Sequence, residues 1–156
     1  MELIDRLKEE EGLRLKAYRD SLGHWTIGYG HLIADDLAKM LAENGKAEIT
    51  LPQAENLLRQ DIETAQRAVA TAFPTKKFDE VRHNCLVEMA FVLGYNGLME
   101  FKRFRQAMWN DNWDEAAHCL YNSKWAYQVG DGKGGRRDRV EEIAEMIRTG
   151  KENWRG

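Results

Sequence analysis

Between residues 9 and 31 the chain reads EEEGLRLKAYRDSLGHWTIGYGH, and three side chains in it, Glu11, Asp20 and Thr26, are of types that could break a bond. Leu3, Ile4 and Leu7 mark one face of an amphipathic helix, and extending that face by helical spacing lands on Glu11. An acid on a core-facing stripe is costly to ionise, so it is either paired or functional. Desolvation there is expected to raise its proton affinity. Asp20, on a turn open to water, is expected to stay ionised. A protonated acid, an ionised carboxylate and a hydroxyl able to seat a water are what cleavage of a glycosidic bond requires. Acids near turns are common, however, and a surface Asp with a salt-bridged Glu reads the same residues without chemistry.

The elements that must hold these groups follow from the surrounding pattern. Gly12 offers the first helix a C-terminal stop. From Arg14 to about Ala34 short β-rich runs are broken by glycine, with Ser21-Leu22-Gly23 as the turn of a hairpin between LKAYRD and HWTIGYG. Trp25, Ile27 and Tyr29 fall on one face and Thr26 on the other. A turn centred near Gly23 makes Asp20 and Thr26 near-opposite partners, roughly 5 Å apart at Cβ.

A short helical patch is expected around residues 37–43. Thr50 with Gln53 three residues on is a capping-box signature. The helix it opens keeps Ala54, Leu57, Leu58, Ile62, Ala65, Val69 and Phe73 in phase until Pro74, about 30 Å of helix. Asp79–Leu93 reads as a buried helix closed by an Asn96-Gly97 turn. FKRFRQAMWN and NWDEAAHCLYNSKW read as shorter helices, GDGKGG at 130–135 as a flexible connector, and residues 136–149 as a last helix stopped by Gly150. GDGKGG lacks the residue order and preceding strand of a nucleotide-binding loop. The expected fold class is α+β: a small β-sheet lobe at about 12–50, a connecting helix at about 50–73, and a helical lobe at about 74–156. The N-terminal helix is a candidate to pack on the helical lobe, and an active-site cleft is expected between the lobes of this single domain.

Composition narrows the class. The 156 residues are 43% hydrophobic and 31% charged, ordinary for one globular domain. A net charge of −3 argues against a general nucleic-acid binder. The charge is uneven: residues 1–73 carry 9 Lys+Arg against 13 Asp+Glu (−4), and residues 74–156 carry 14 against 13 (+1). Basic residues gather at Lys102, Arg103 and Arg105 and again at Lys133, Arg136, Arg137 and Arg139. Such clusters are either solvated faces or a contact for an anionic polymer, and the polymer reading makes activity fall with salt. Cys85 and Cys119 sit in helical, mostly apolar patterns and are expected as free buried thiols. No Cys/His spacing suggests a metal, and no cofactor is expected. Acids interrupt the apolar runs of MELIDRLKEEEG, so no signal peptide is expected, and no stretch reaches membrane-spanning length.

The segment EGLRLKAYRDSLGHWTIGYGH resembles the catalytic signature of the phage-type lysozymes, the muramidase endolysins of tailed phages (glycoside hydrolase family 24). Their pattern, E-G-x-R-L-x-x-Y-x-D followed by T-x-G-x-G-H, is matched at Glu11, Gly12, Arg14, Leu15, Tyr18, Asp20, Thr26, Gly28, Gly30 and His31. LVEMAFVLG, WDEAAHCL, NSKW, RRDRVEEI and RTG extend the likeness over nearly the whole chain. The resemblance implies Glu11 as general acid, Asp20 as second carboxylate and Thr26 seating the nucleophilic water. It implies an inverting mechanism, with the carboxyls roughly 6.5–9.5 Å apart. It also implies an Arg partner for the acid, Arg136 first and Arg137 second, and a stabilising pair between His31 and Asp61. By the same resemblance Leu32 and Phe91 occupy positions that line the sugar site, with Met89 beside Phe91 and Gly30, Phe104 and Cys119 as further candidates; ordinary core packing is the other reading of Phe91 and Phe104. Val92, Phe104 and Cys119 replace groups that are polar in relatives, so saccharide contacts differ in detail.

The implied reaction is hydrolysis of the β-1,4 bond between N-acetylmuramic acid and N-acetylglucosamine in peptidoglycan. The implied setting is a monomer that collects in the host bacterial cytoplasm, inserts in no membrane, binds no nucleic acid, and reaches the wall after a holin breaches the membrane. Two alternatives stay open: a non-catalytic wall-glycan binder, and the same fold acting as a lytic transglycosylase or chitinase. The intact Glu11, Asp20 and Thr26 set speaks against the first. A retained water-seating pair favours hydrolysis over intramolecular attack.

Overall fold

A computed structural model describes residues 2–20, 22–33, 47–125 and 139–153. Its described elements are α1 (Leu3–Glu11), β1 (Arg14–Arg19), β2 (Trp25–Gly28), β3 (His31–Leu32), α2 (Leu51–Ala72), α3 (Glu80–Glu100), α4 (Lys102–Trp109), α5 (Trp113–Tyr121) and α6 (Arg139–Thr149). This is the expected α+β class, with a three-stranded antiparallel sheet in the order β1-β2-β3. The chain forms two compact units, Met1–Thr64 and Ala65–Gly156. The helical patch expected at 37–43, the GDGKGG loop, Lys133, Arg136 and Arg137 lie outside the described residues.

In the first unit α1 buries Leu7 completely and ends at Gly12, whose φ of 69° turns the chain out of the helix while its N–H bonds the Lys8 carbonyl. The hairpin that follows is closed at Asp20 and His24 (Asp20 N–H to His24 O, 2.9 Å), so Tyr18 pairs with Thr26 and Arg19 with Trp25. A register irregularity between Arg14 and Tyr18 bends β1. Thr26 and Ile27 are both buried, so β2 is covered on both faces, and Tyr29 is buried beyond the strand's end. The segment 47–49 continues along β1, with Ala17 N–H to Ala47 O and Ile49 N–H to Leu15 O, both 2.8 Å.

The capping box at the start of α2 forms as expected. Thr50 N–H donates to Gln53 Oε1 at 2.8 Å and Gln53 N–H to Thr50 Oγ1 at 3.3 Å. Ala54, Leu58, Ala65, Val69 and Phe73 are buried along its apolar face, while Leu57 and Ile62 are half-buried at its edges.

In the second unit Asp79 caps α3 by accepting from Arg82 N–H. α3 does not close at Asn96-Gly97. It breaks at Gly94 (φ 73°, ψ 173°) and continues as helix to Glu100. Gly97 serves close packing instead, since a Cβ there would lie 2.8 Å from Leu93 Cβ. The core of this unit joins Leu86, Met89 and Leu98 of α3, Phe104 and Met108 of α4, Leu120 of α5, and Ile143 and Ile147 of α6. A buried ion pair crosses it, Arg139 Nε to Glu88 Oε2 at 2.7 Å, with Glu88 1% exposed. Both cysteines are free. Cys85 is buried, but Cys119 is half-buried, which corrects the expectation of two buried thiols. α6 stops at Gly150 (φ 72°), as its sequence indicates.

Candidate active site

Glu11 is the last residue of α1 and is half-buried. It therefore stands at the edge of the apolar stripe and not within the core, which corrects the simplest reading of its spacing. What meets it is Gly30, on the tight turn between β2 and β3. A Cβ built on Gly30 would lie 2.7 Å from Glu11 Oε2 and 3.1 Å from its Cδ. Gly30 also holds φ at +72°, a conformation that side chains with a Cβ rarely adopt. Turn conformation and the approach to the acid thus both require glycine at this position.

Asp20 ends β1 and is fixed by its own turn. Its Oδ1 accepts from Leu22 N–H at 2.9 Å and from His24 N–H at 2.8 Å, an Asx-type arrangement that orients the carboxyl by backbone alone. Gly23 N–H donates to the Asp20 carbonyl and Arg19 Nη1 to the Gly23 carbonyl. This is why the hairpin centres on residue 22, not on Gly23. Asp20 consequently faces His24 across the turn, and Thr26 is paired with Tyr18 on one side and Leu32 on the other. The expected cross-strand Asp20–Thr26 pairing does not form. Thr26 is 3% exposed, and its hydroxyl donates to the His24 carbonyl at 3.0 Å.

Tyr18 ties the acids together and was singled out in the sequence only as a signature position. Burial pushes its phenol above the usual value; the Arg14 guanidinium, 4.6 Å over the ring, pulls it down; and the charges of both Glu11 and Asp20 push it up. The charge of Glu11, at the end of α1, and that of Asp20, just past β1, therefore act on one phenol of the sheet.

His31 and Asp61 meet as the resemblance implied, Nδ1 to Oδ2 at 2.7 Å. Donating to the Asp61 carboxylate raises the His31 pKa, against burial, which lowers it. Leu32, on β3, is 61% exposed and free to meet a ligand.

The remaining sequence candidates lie in the second unit. Met89 is fully buried on α3, and Phe91 is half-buried on the same helix. Phe104 is 1% exposed; with Cys119 it lines a cavity of about 780 Å³. Burial and the neighbouring Glu115 carboxylate push the Cys119 thiol pKa up, away from nucleophilic use. Val92 is half-buried. Arg136 and Arg137 lie outside the described residues. Arg139, the next basic residue, is committed to Glu88. Among the described residues no group of three His, Cys, Asp or Glu side chains could hold a metal ion, and no helix is long and apolar enough to cross a membrane.

Comparison with known proteins bears on the family. The phage lysozyme family model matches residues 8–142. "Probable T4-type lysozyme 1" of Dictyostelium discoideum is 28% identical over 166 residues, covering 94% of this chain and 93% of that protein. The endolysin of Salmonella phage P22 is 34% identical over 91 residues, covering 58% of this chain and 60% of its own. The pre-baseplate central spike protein of Enterobacteria phage T4 is 29% identical over 154 residues, covering 87% of this chain but only 27% of that longer protein. With the family match running through both compact units, the chain belongs to the phage lysozyme family and is a glycosidase.

Proposed function

We propose that this lysozyme hydrolyses the β-1,4 bond between N-acetylmuramic acid and N-acetylglucosamine in peptidoglycan, with inversion at the anomeric carbon. The observation that carries the reading is Glu11: a carboxyl at a helix end, backed so closely by the Gly30 turn that an added Cβ would displace it, on a unit that also holds a second, backbone-fixed carboxylate in Asp20. Glu11 donates its proton to the glycosidic oxygen as the bond to the anomeric carbon breaks. A water attacks that carbon from the opposite face, and its proton passes to Asp20. The Thr26 hydroxyl proton is occupied by the His24 carbonyl, so toward this water Oγ1 acts as an acceptor and helps fix its orientation. Inversion needs room for the water, hence a carboxyl separation of roughly 6.5–9.5 Å. Exposed Leu32, beside Thr26, supplies an apolar contact for a sugar face, and the Gly30 backbone lies next to it. His31 and Asp61 stabilise the unit without touching substrate. The same reading makes the protein a monomer that lyses its host from the cytoplasm once a holin opens the membrane.

The test is product analysis on purified peptidoglycan. Proton NMR of the first reducing ends should show the α anomer before mutarotation, and mass spectrometry should show one water added per cut. A β anomer would overturn inversion, and anhydromuramic ends would overturn hydrolysis.

A further inference from the structure

Tyr18 is the direct partner of Thr26 across β1 and β2, and Thr26 is the direct partner of Leu32 across β2 and β3. Directly opposed residues of an antiparallel pair project to the same face, with Cβ atoms about 4.5–5.5 Å apart. Tyr18, Thr26 and Leu32 therefore form one row on one face of the sheet, the buried Thr26 between a half-buried phenol and an exposed leucine. The Arg14 guanidinium, 4.6 Å over the Tyr18 ring, steadies the phenol end of the row. The Tyr18 hydroxyl forms no hydrogen bond with the described residues, so its donor is unspent. Burial and the charges of Glu11 and Asp20 raise its pKa over the pull of Arg14, and the donor keeps its proton wherever the carboxylates work.

The hydrolysis proposed above leaves one position of its water unfilled. A water has two O–H donors and two lone pairs. One proton goes to Asp20, whose Oδ1 already accepts from Leu22 and His24 N–H, so Oδ2 remains for the water. The other O–H is accepted by Thr26 Oγ1, whose own proton is held by the His24 carbonyl. One lone pair attacks the anomeric carbon. The second lone pair needs a donor, and neither an ionised Asp20 nor a Thr26 with its proton spent can supply one.

We infer that Tyr18 is that donor: its phenolic O–H bonds the second lone pair of the nucleophilic water and so aims the first at the anomeric carbon. Tyr18 neither gains nor loses a proton as the water's proton passes to Asp20; its part is orientation. The inference rests on the hydrolytic reading and adds to it a residue that holds the nucleophile.

The experiment compares wild type and Tyr18→Phe on soluble peptidoglycan strands for kcat, KM, first-formed anomer and melting temperature. Phenylalanine keeps the ring under Arg14 and removes only a hydroxyl that the fold does not bind, so the melting temperature should stay within about 1 °C. Because the lost contact acts on the attacking water, kcat should fall about tenfold while KM stays within about twofold. Wild-type kcat in Tyr18→Phe would overturn the inference, as would a loss carried by KM. A Tyr18→Phe that melts several degrees lower or fails to fold would show that the hydroxyl holds the fold, and overturns it as well. A wild type that releases the β anomer first overturns inversion and this inference together. An inverting wild type beside an unimpaired Tyr18→Phe overturns this inference alone.

Discussion

Replacing Gly30 by alanine tests whether the β2–β3 turn positions the acid. The added Cβ would start 2.7 Å from Glu11 Oε2, whereas ordinary contact begins near 3.4 Å, so the carboxyl must retreat by about 0.7 Å. Because Glu11 is the tip of a flexible side chain, the retreat itself costs little stability. The φ of +72° adds about 1–2 kcal/mol of strain, a loss of about 2–8 °C in melting temperature for a protein of this size. The effect on rate is larger in proportion, since a misplacement of about 1 Å can cost about a hundredfold; a tenfold loss or more is expected here. Peptidoglycan solubilisation is measured well below the melting temperature, beside a Gly94→Ala control. Gly94 also has positive φ (73°), but nothing lies within 4 Å of its Cβ position. The control should lose stability and keep activity. Equal activity in Gly30→Ala and Gly94→Ala, matched for folding, would refute the positioning argument.

Two further expectations follow from the ion pairs. The folded His31 pKa is raised by Asp61, so the pair's contribution is fully present below about pH 6.5 and fades as pH rises through the folded value. Asp61→Asn should therefore lower the melting temperature by about 2–4 °C at pH 5.5 and by less at pH 8.5, with solubilisation at low temperature largely kept; a larger loss at pH 8.5 would contradict this. Glu88→Ala leaves the Arg139 charge without its carboxylate in a site where Glu88 is 1% exposed. A destabilisation of about 3–5 kcal/mol is expected in denaturant titration, and a loss under about 1 kcal/mol would show the pair to be dispensable.

Where local chemistry decides structure, the sequence could be read directly. The Thr50–Gln53 capping box, the glycine stops after Glu11 and Thr149, and the apolar stripe of α2 each depend on residues within a turn or two. The hairpin register was harder because Asp20 intervenes in it. By binding the N–H groups of Leu22 and His24 it closes the turn one residue earlier than glycine placement suggests, and that moves Thr26 opposite Tyr18. Asn96-Gly97 has the composition of a turn, yet its glycine is needed for contact with Leu93, and Gly94 takes the break. Glu11 and Asp20 were legible as candidates from type and spacing. The Gly30 contact was visible only as a signature glycine, and the Glu88–Arg139 pair had no local signal, since partners 51 residues apart are joined by tertiary packing alone.

The central claim is that Glu11 donates a proton, and the most direct measurement is solubilisation of peptidoglycan by wild type and Glu11→Gln, matched by circular dichroism. Glutamine keeps the size and removes the acid. An active wild type and a folded Glu11→Gln reduced by about a hundredfold or more are expected. Equal activity in the two folded proteins would contradict the claim and place the chemistry on another residue.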